Sequence, residues 1–297
     1  MTRAKKTRYE DIICSLTDLG VQSGSLLMVH SSLSSIGNVQ GGAETVVDAL
    51  LKVLGPKGTL VVPTFTYPGD YPPSRDPNWI FDPDRTPSAM GAITNAARTR
   101  PQAQRSFHLW HSVAAIGPLA NTITTIGGSS AWNSNSPMAW ICKNDGQFLL
   151  LGVPYGNLTA IHIWEVALAV AYRREYDVKR RMRCSDGSLA PLISRVHDRT
   201  ESHPGSDFNR FGEHLEAANK VQIGPVGNAI GRLFAGIDAA RIAKVMYIED
   251  QHAFLKQGDT VTALSHGKTI KNAKGFQSVV DPDLVFPATS PAQARKV

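Results

Sequence analysis

A histidine and a glutamate three residues apart, His162 and Glu165, lie in the segment Thr159-Ala160-Ile161-His162-Ile163-Trp164-Glu165. On a helix that step brings both side chains to one face. The carboxylate can then orient the imidazole and raise its basicity. The other ring nitrogen is left free to take a proton, as a general base requires. A structural His–Glu pair has the same spacing, so spacing alone leaves both readings open. A second group is His30-Ser31-Ser32-Leu33-Ser34-Ser35-Ile36-Gly37, followed by Gly41-Gly42. Backbone N–H groups at a strand-to-helix junction, with serine hydroxyls beside them, suit a phosphate or pyrophosphate. Serines that only cap the next helix would look the same. The run is neither Gly-x-Gly-x-x-Gly nor a P-loop, and Gly267-Lys268-Thr269 lacks the upstream glycine a P-loop needs.

A third group is Arg105-Ser106-Phe107-His108-Leu109-Trp110-His111-Ser112. His108 and His111 could ligate a metal, but no carboxylate or cysteine stands at ligand spacing and no His-Glu-x-x-His is present, so no metal is expected. A metal-assisted hydrolase built on His108, His111 and His162 is the rival enzyme class. Arg105 is a better candidate for holding phosphate. The stretch from Arg173 to Arg183 carries Arg173, Arg174, Lys179, Arg180, Arg181 and Arg183, read either as a solvated face or as an anion contact. Serine-hydrolase chemistry has no Gly-x-Ser-x-Gly elbow to rest on.

The elements that must position these groups follow from periodicity. Residues 8–19 read as an amphipathic helix with Ile12, Ile13, Leu16 and Leu19 on its apolar side. Residues 25–30 and 58–63 read as buried strands, and 43–54 as the helix between them, ending at Gly55-Pro56. Strand, loop, helix, strand is a βαβ unit and implies a parallel sheet. Further strands are expected at 112–116 and 147–153, with a helix at 91–98. Thr159–Arg173 reads as the clearest helix, capped by Asn157 or Thr159, with His162 in its first turn. Residues 67–88 form a long irregular excursion, 174–210 hairpins, and 265–297 a polar tail beyond a domain spanning 1–264.

Composition narrows the class. Of 297 residues, 42% are hydrophobic and 19% charged, enough for a large core and too little charge for a disordered or coiled-coil chain. Thirty-one Lys+Arg against 25 Asp+Glu give +6, with no basic repeat that would make a nucleic-acid face. Cys14, Cys142 and Cys184 are scattered and odd in number, which suits a reducing cytoplasm. The basic start has no apolar run after it, and no apolar run approaches the ~18 residues of a membrane span. A soluble cytoplasmic globular protein, with neither nucleic acid nor membrane as partner, is expected.

Together these segments resemble the aminoglycoside 3-N-acetyltransferases, the antibiotic N-acetyltransferase family. The resemblance is carried by Met28–Gly37 with Gly41-Gly42, Leu60–Thr66, Phe81-Asp82-Pro83, Thr86–Gly91, Arg105–His108 and Ser112–Gly117. It continues through Ser136-Pro137, Leu149–Val153, Thr159–Glu165, Asp207-Phe208 and Gly224–Ala229, in the family's order over roughly 8–255. It implies a three-layer α/β/α fold with a mainly parallel mixed sheet in a single large domain. It also implies acetyl-CoA as cosubstrate and direct acetyl transfer to an amine, with His162 and Glu165 as catalytic pair. Ser31, Ser32, Leu33, Ser34, Gly37, Thr64, Ser88, Met90, Arg105, Ser106 and Ser112 then fall on the CoA side. The expected partner is a small-molecule amine, an aminoglycoside first. A biosynthetic amino sugar or another natural-product amine is the alternative, and a non-catalytic CoA-binding protein a further one. A monomer or homodimer is expected. The chain departs from the family in following Arg-Ser-x-His with Leu109-Trp110-His111 rather than proline. Its net basic charge also contrasts with the acidic pocket a polycationic acceptor needs, though Glu175, Asp177, Glu201, Asp207, Glu213 and Glu216 could line one.

Overall fold

Apolar runs too short to be helices dominate the middle of the chain, and in the computed structural model, which describes residues 6–66, 76–200 and 205–256, they become the strands of one sheet. The amphipathic helix α1 (Tyr9–Asp18) buries Ile12 and Leu16. It is followed by β1 (Leu26–Ser31), the single turn α2 (Leu33–Ile36), α3 (Gly42–Leu54) and β2 (Thr59–Pro63). Next come β3 (Ile80–Phe81), α4 (Ala92–Arg98), β4 (Gln104–Arg105), β5 (Val113–Ile116), α5 (Ala120–Thr125), α6 (Pro137–Lys143) and β6 (Gln147–Leu151). A 3₁₀ turn at Tyr155–Asn157 leads to α7 (Ile161–Ala167), then the hairpin β7 (Arg173–Arg183) and β8 (Leu189–Arg199). The last elements are α8 (Phe208–Ala217), β9 (Val221–Val226), β10 (Ala229–Ala235) and α9 (Gly236–Glu249).

The large sheet runs β4-β5-β2-β1-β6-β10-β9. Its centre is parallel, β1 pairing with β2 and with β6, while β5 and β10 run against their neighbours. Five of the seven strands therefore share one direction, the mainly parallel mixed sheet the resemblance implied. Alternate side chains of β1 feed two cores, as strand geometry demands. Leu27 and Val29 pack with residues of α1, α3 and α4, whereas Leu26 and Met28 join Phe148, Leu150 and the helices α5 to α9. The sheet is thus the middle of three layers. The hairpin β7–β8 and β3 make a second, three-stranded sheet.

Several expected elements change. The helix of 159–173 is a short one, ending at Ala167, and Ala169 takes a left-handed φ of 49°. After it, Val170 and Tyr172 are buried and Ala169 and Ala171 exposed, a period of two that suits the approach to β7 rather than a helix. Neither expected cap is used: Asn157 closes the 3₁₀ turn, and α7 begins after Ala160 without a side-chain cap. The described part of the 67–88 excursion contains β3, paired with β7; residues 67–75 and the 265–297 tail lie outside the described residues. Among the described residues no helix is long and apolar enough to cross a membrane.

Candidate active site

Strands β2, β1 and β6 are adjacent and parallel, so their carboxyl ends open on one edge, where sheets of this class bind ligands. Thr64 follows β2, Ser31–Gly37 follows β1, and the chain leaving β6 turns into the helix of His162. Ser32 N–H donates to the Leu151 carbonyl at 3.0 Å, tying the serine loop to the end of β6. Ser32 Oγ accepts from the Ser35 backbone N–H at 3.4 Å and from Ser35 Oγ at 2.9 Å, and lies 3.0 Å from Ser34 Oγ. The capping role open at the sequence level is therefore filled by Ser32. Ser31 Oγ is buried without a hydrogen-bond partner, and Leu33 packs against the core of α1 and α3. Gly37 ends α2 at φ 94°, a conformation that favours glycine.

The six other residues assigned to the CoA side are held by short polar contacts, centred on Arg105. Arg105 sends four hydrogen bonds inward: Nε to Ser112 Oγ (3.1 Å), the terminal nitrogens to the carbonyls of Thr64 (2.7 Å), Pro83 (3.2 Å) and Thr86. Thr64 Oγ1 and Ser112 Oγ are 3.0 Å apart. Ser88 Oγ accepts from Met90 N–H at 3.0 Å and from Thr94 Oγ1 at 3.1 Å. Ser106 pairs with Val113 through both its backbone N–H and its side-chain oxygen, each at 2.9 Å. The guanidinium of Arg105 thus ties the ends of β2 and β5 to the 83–88 loop, and most of its donors are committed to carbonyls.

The His162–Glu165 pair is formed. His162 Nδ1 donates to Glu165 Oε2 at 2.7 Å, which fixes the tautomer and leaves Nε2 as the accepting nitrogen. Glu165 is fully buried, while His162 keeps 16% of its side chain exposed. Two further groups converge on the same carboxylate oxygen: Arg173 Nε at 2.6 Å and His197 Nε2 at 3.5 Å. Burial alone would push the Glu165 carboxyl up, but His162, His197 and Arg173 outweigh it and hold the group well below the usual carboxylate range. Burial, and then the Arg173 charge, bring His162 down to about 4 against the opposing pull of Glu165. The imidazole is therefore uncharged at neutral pH. Trp132 and Phe208 meet its ring edge-on, with centroids at 5.0 and 5.5 Å, and His111 packs on Trp132 at 4.9 Å.

The other histidine motif resolves differently. His108 Nδ1 accepts from the backbone N–H groups of Trp110 and His111, so its Nε2 donates to the Arg195 carbonyl at 3.2 Å. Both nitrogens are spent on holding the 108–111 turn against β8, which leaves none for a metal. His162, Glu165 and His197 do lie close enough to share an ion, their ligating atoms within 4.8 Å of one another. The permanent charge of Arg173, 2.6 Å from the same oxygen, opposes a cation there. Sequence reasoning missed Arg173 and His197 as site residues. Arg173 was hidden at the head of a basic run whose other members are mostly solvated, and His197 stands in a charged, loop-like stretch. Trp132 lies between the Ser112–Gly117 and Ser136-Pro137 segments and belongs to neither. A cleft of about 810 Å³ is lined by Arg105, Ser106, His108, His111 and Ser130, and His162 and Glu165 are not part of its wall.

A profile of the aminoglycoside 3-N-acetyltransferase family matches residues 28–247. Aminoglycoside N(3)-acetyltransferase IV from a Salmonella species is 32% identical over 252 residues, 84% of this chain and 90% of its own length. Aminoglycoside N(3)-acetyltransferase III, also from Salmonella, is 38% identical over 198 residues, 62% of this chain and 68% of its own. The structure of AAC-VIa bound to sisomicin superposes with a TM-score of 0.72 at 27% identity, covering 84% of this chain and 100% of that one. Apo aminoglycoside acetyltransferase AAC(3)-IVa gives 0.71 at 27% identity, over 90% of this chain and 99% of its own. The chain belongs to the aminoglycoside 3-N-acetyltransferase family and is an acyltransferase of that family.

Proposed function

We propose that the protein transfers acetyl from acetyl-CoA directly to the 3-amino group of an aminoglycoside, with His162 as general base oriented by Glu165. The observation that carries this reading is the 2.7 Å Nδ1–Oε2 contact in an uncharged imidazole whose other nitrogen is unclaimed by Glu165. The amine nitrogen bonds to the thioester carbon and the C–S bond breaks. The proton lost by the amine passes through His162 Nε2 to the departing CoA sulfur. Because Glu165 is ionised, it stabilises the imidazolium that exists between the two proton transfers. Base catalysis of this kind contributes roughly 10²–10⁴-fold, and holding amine against thioester adds more.

Acetyl-CoA is assigned to the sheet edge formed by Ser31–Gly37, Thr64, Ser88, Met90, Arg105, Ser106 and Ser112. In this reading Arg105 shapes the loops that meet the cofactor. On the acceptor side, Glu175 is exposed and stands directly opposite His197 in the hairpin, hence on the same face. Two other candidate carboxylates are already paired, Asp177 with Arg195 at 2.8 Å and Glu216 with Arg232 at 3.0 Å. In this reading Glu175 meets a substrate ammonium.

Release of free CoA thiol from acetyl-CoA, followed across aminoglycosides with and without a free 3-amino group and across simple amino sugars, tests this. Release confined to 3-amino aminoglycosides, and lowered about 10²–10⁴-fold in His162→Ala, is the expected result. Release with another amine would keep the mechanism and move the acceptor. CoA binding without release, unchanged by His162→Ala, would overturn the catalytic assignment.

A further inference from the structure

Arg173 is the first residue of β7, and it is buried where the basic residues that follow in the strand are mostly exposed. Only 5% of its side chain is exposed, and its Nε sits 2.6 Å from Glu165 Oε2, the oxygen that also receives His162. A terminal nitrogen donates to Ser206 Oγ at 3.1 Å, which fixes the guanidinium from its far side. We infer that Arg173 is a positioning residue that cancels the charge of Glu165, so that His162 is held by a carboxylate yet remains an uncharged base. The inference rests on the general-base reading of His162 given above.

The argument is one of charge balance in a dry site. A buried carboxylate facing an imidazole alone favours the imidazolium, since the proton neutralises a charge water cannot reach. A histidine held that way would already be protonated at neutral pH and could not take a proton from an amine. With Arg173 in place the carboxylate is matched before the histidine titrates, and a proton on His162 adds an unmatched charge. The groups facing His162 from every packed element agree with this sign. Among the described residues Glu165 on α7 is the acid that acts on His162, opposed by Arg173 on β7, with His197 on β8 and His111 in the 108–111 turn nearby. Phe208 on α8 and Trp132 bring no charge.

The test reads His162 directly, by imidazole NMR, beside kcat/KM for thiol release between pH 5.5 and 8.5. Arg173→Met should raise the His162 midpoint by about one pH unit or more. The ratio of kcat/KM at pH 8 to that at pH 5.5 should then exceed the wild-type ratio, by about 1.3-fold for a midpoint near 5 and by about tenfold for one near 6.5, while Arg173→Lys stays close to wild type. If Arg173→Met does not fold, Glu165→Gln and the double variant Glu165→Gln/Arg173→Met differ only in the charge at 173, and the midpoint should be higher in the double variant. An unchanged midpoint in either comparison overturns the role of Arg173. A midpoint that moves while the activity profile ignores it supports that role and rejects His162 as the base.

Discussion

Side chains in this site are decided by how many partners they must satisfy. Glu165 accepts from His162 on an oxygen that Arg173 Nε and His197 Nε2 also approach, and His162 gives up one nitrogen to gain a defined tautomer. His108 has the opposite fate, since both of its nitrogens are consumed by backbone. Arg105 shows the same logic in a cation. Its planar fork spans three carbonyls and a hydroxyl, a pattern that the single ammonium of lysine cannot reproduce. Arg105→Lys should cost about 2 kcal/mol, because carbonyls at the ends of β2 and in the 83–88 loop lose charged donors. If Arg105 organises the acetyl-CoA loops, the KM for acetyl-CoA should rise while kcat changes little. Urea unfolding and steady-state kinetics check the two parts separately, and an unchanged urea midpoint would mean the network is dispensable.

Between elements, the packing of α8 against the 3₁₀ turn is the contact most sensitive to one added carbon. A Cβ on Gly212 would fall 1.9 Å from a ring carbon of Tyr155. Alanine normally gains about 1 kcal/mol over glycine inside a helix. Overpacking against a fixed aromatic ring costs about 1–3 kcal/mol, so the steric term wins. Gly212→Ala should therefore lower the urea midpoint, and because α8 carries Phe208 against the His162 ring it should also lower kcat. A raised midpoint would show that Tyr155 can step aside. The Tyr155 hydroxyl donates to Glu216 at 2.8 Å and its ring lies under the Arg232 guanidinium, which is why it is not expected to move freely.

For the whole molecule, burial of neutral histidines sets the response to acid. Burial lowers His30, His108 and His162 to about 4 and takes His111 well below its ordinary value. In the unfolded chain the same side chains take protons near pH 6.5. Their native-state preference for the neutral form is thus fully present above that value and is lost as pH falls from 6.5 toward 4. Each contributes a slope of about 1.4 kcal/mol per pH unit in that window, so four of them remove roughly 5 kcal/mol between pH 7 and 5.5. That is a large share of the ~5–15 kcal/mol a domain possesses. Thermal melts should show Tm dropping steeply across this range, with a shallower drop in His30→Gln, and a flat Tm would contradict the neutral assignments.

Much of this was legible from residues alone. The βαβ opening, the serine loop after β1 and the one-face placement of His162 and Glu165 all follow from local periodicity and a three-residue step, because short-range geometry determines them. Ordered motifs over most of the chain pointed to the family. What the residues could not show was the length of the α7 helix, where a left-handed Ala169 ends an otherwise helical pattern. They also could not show that Arg173 leaves its basic run to sit on Glu165, or that His197 arrives there from 32 residues beyond Glu165. Those contacts depend on where the β7–β8 hairpin carries residues distant in sequence. Sequence therefore determined the local elements and the spacing of His162 and Glu165. The charge around that pair belongs to tertiary structure, because buried charges interact through space with whichever partner the fold delivers.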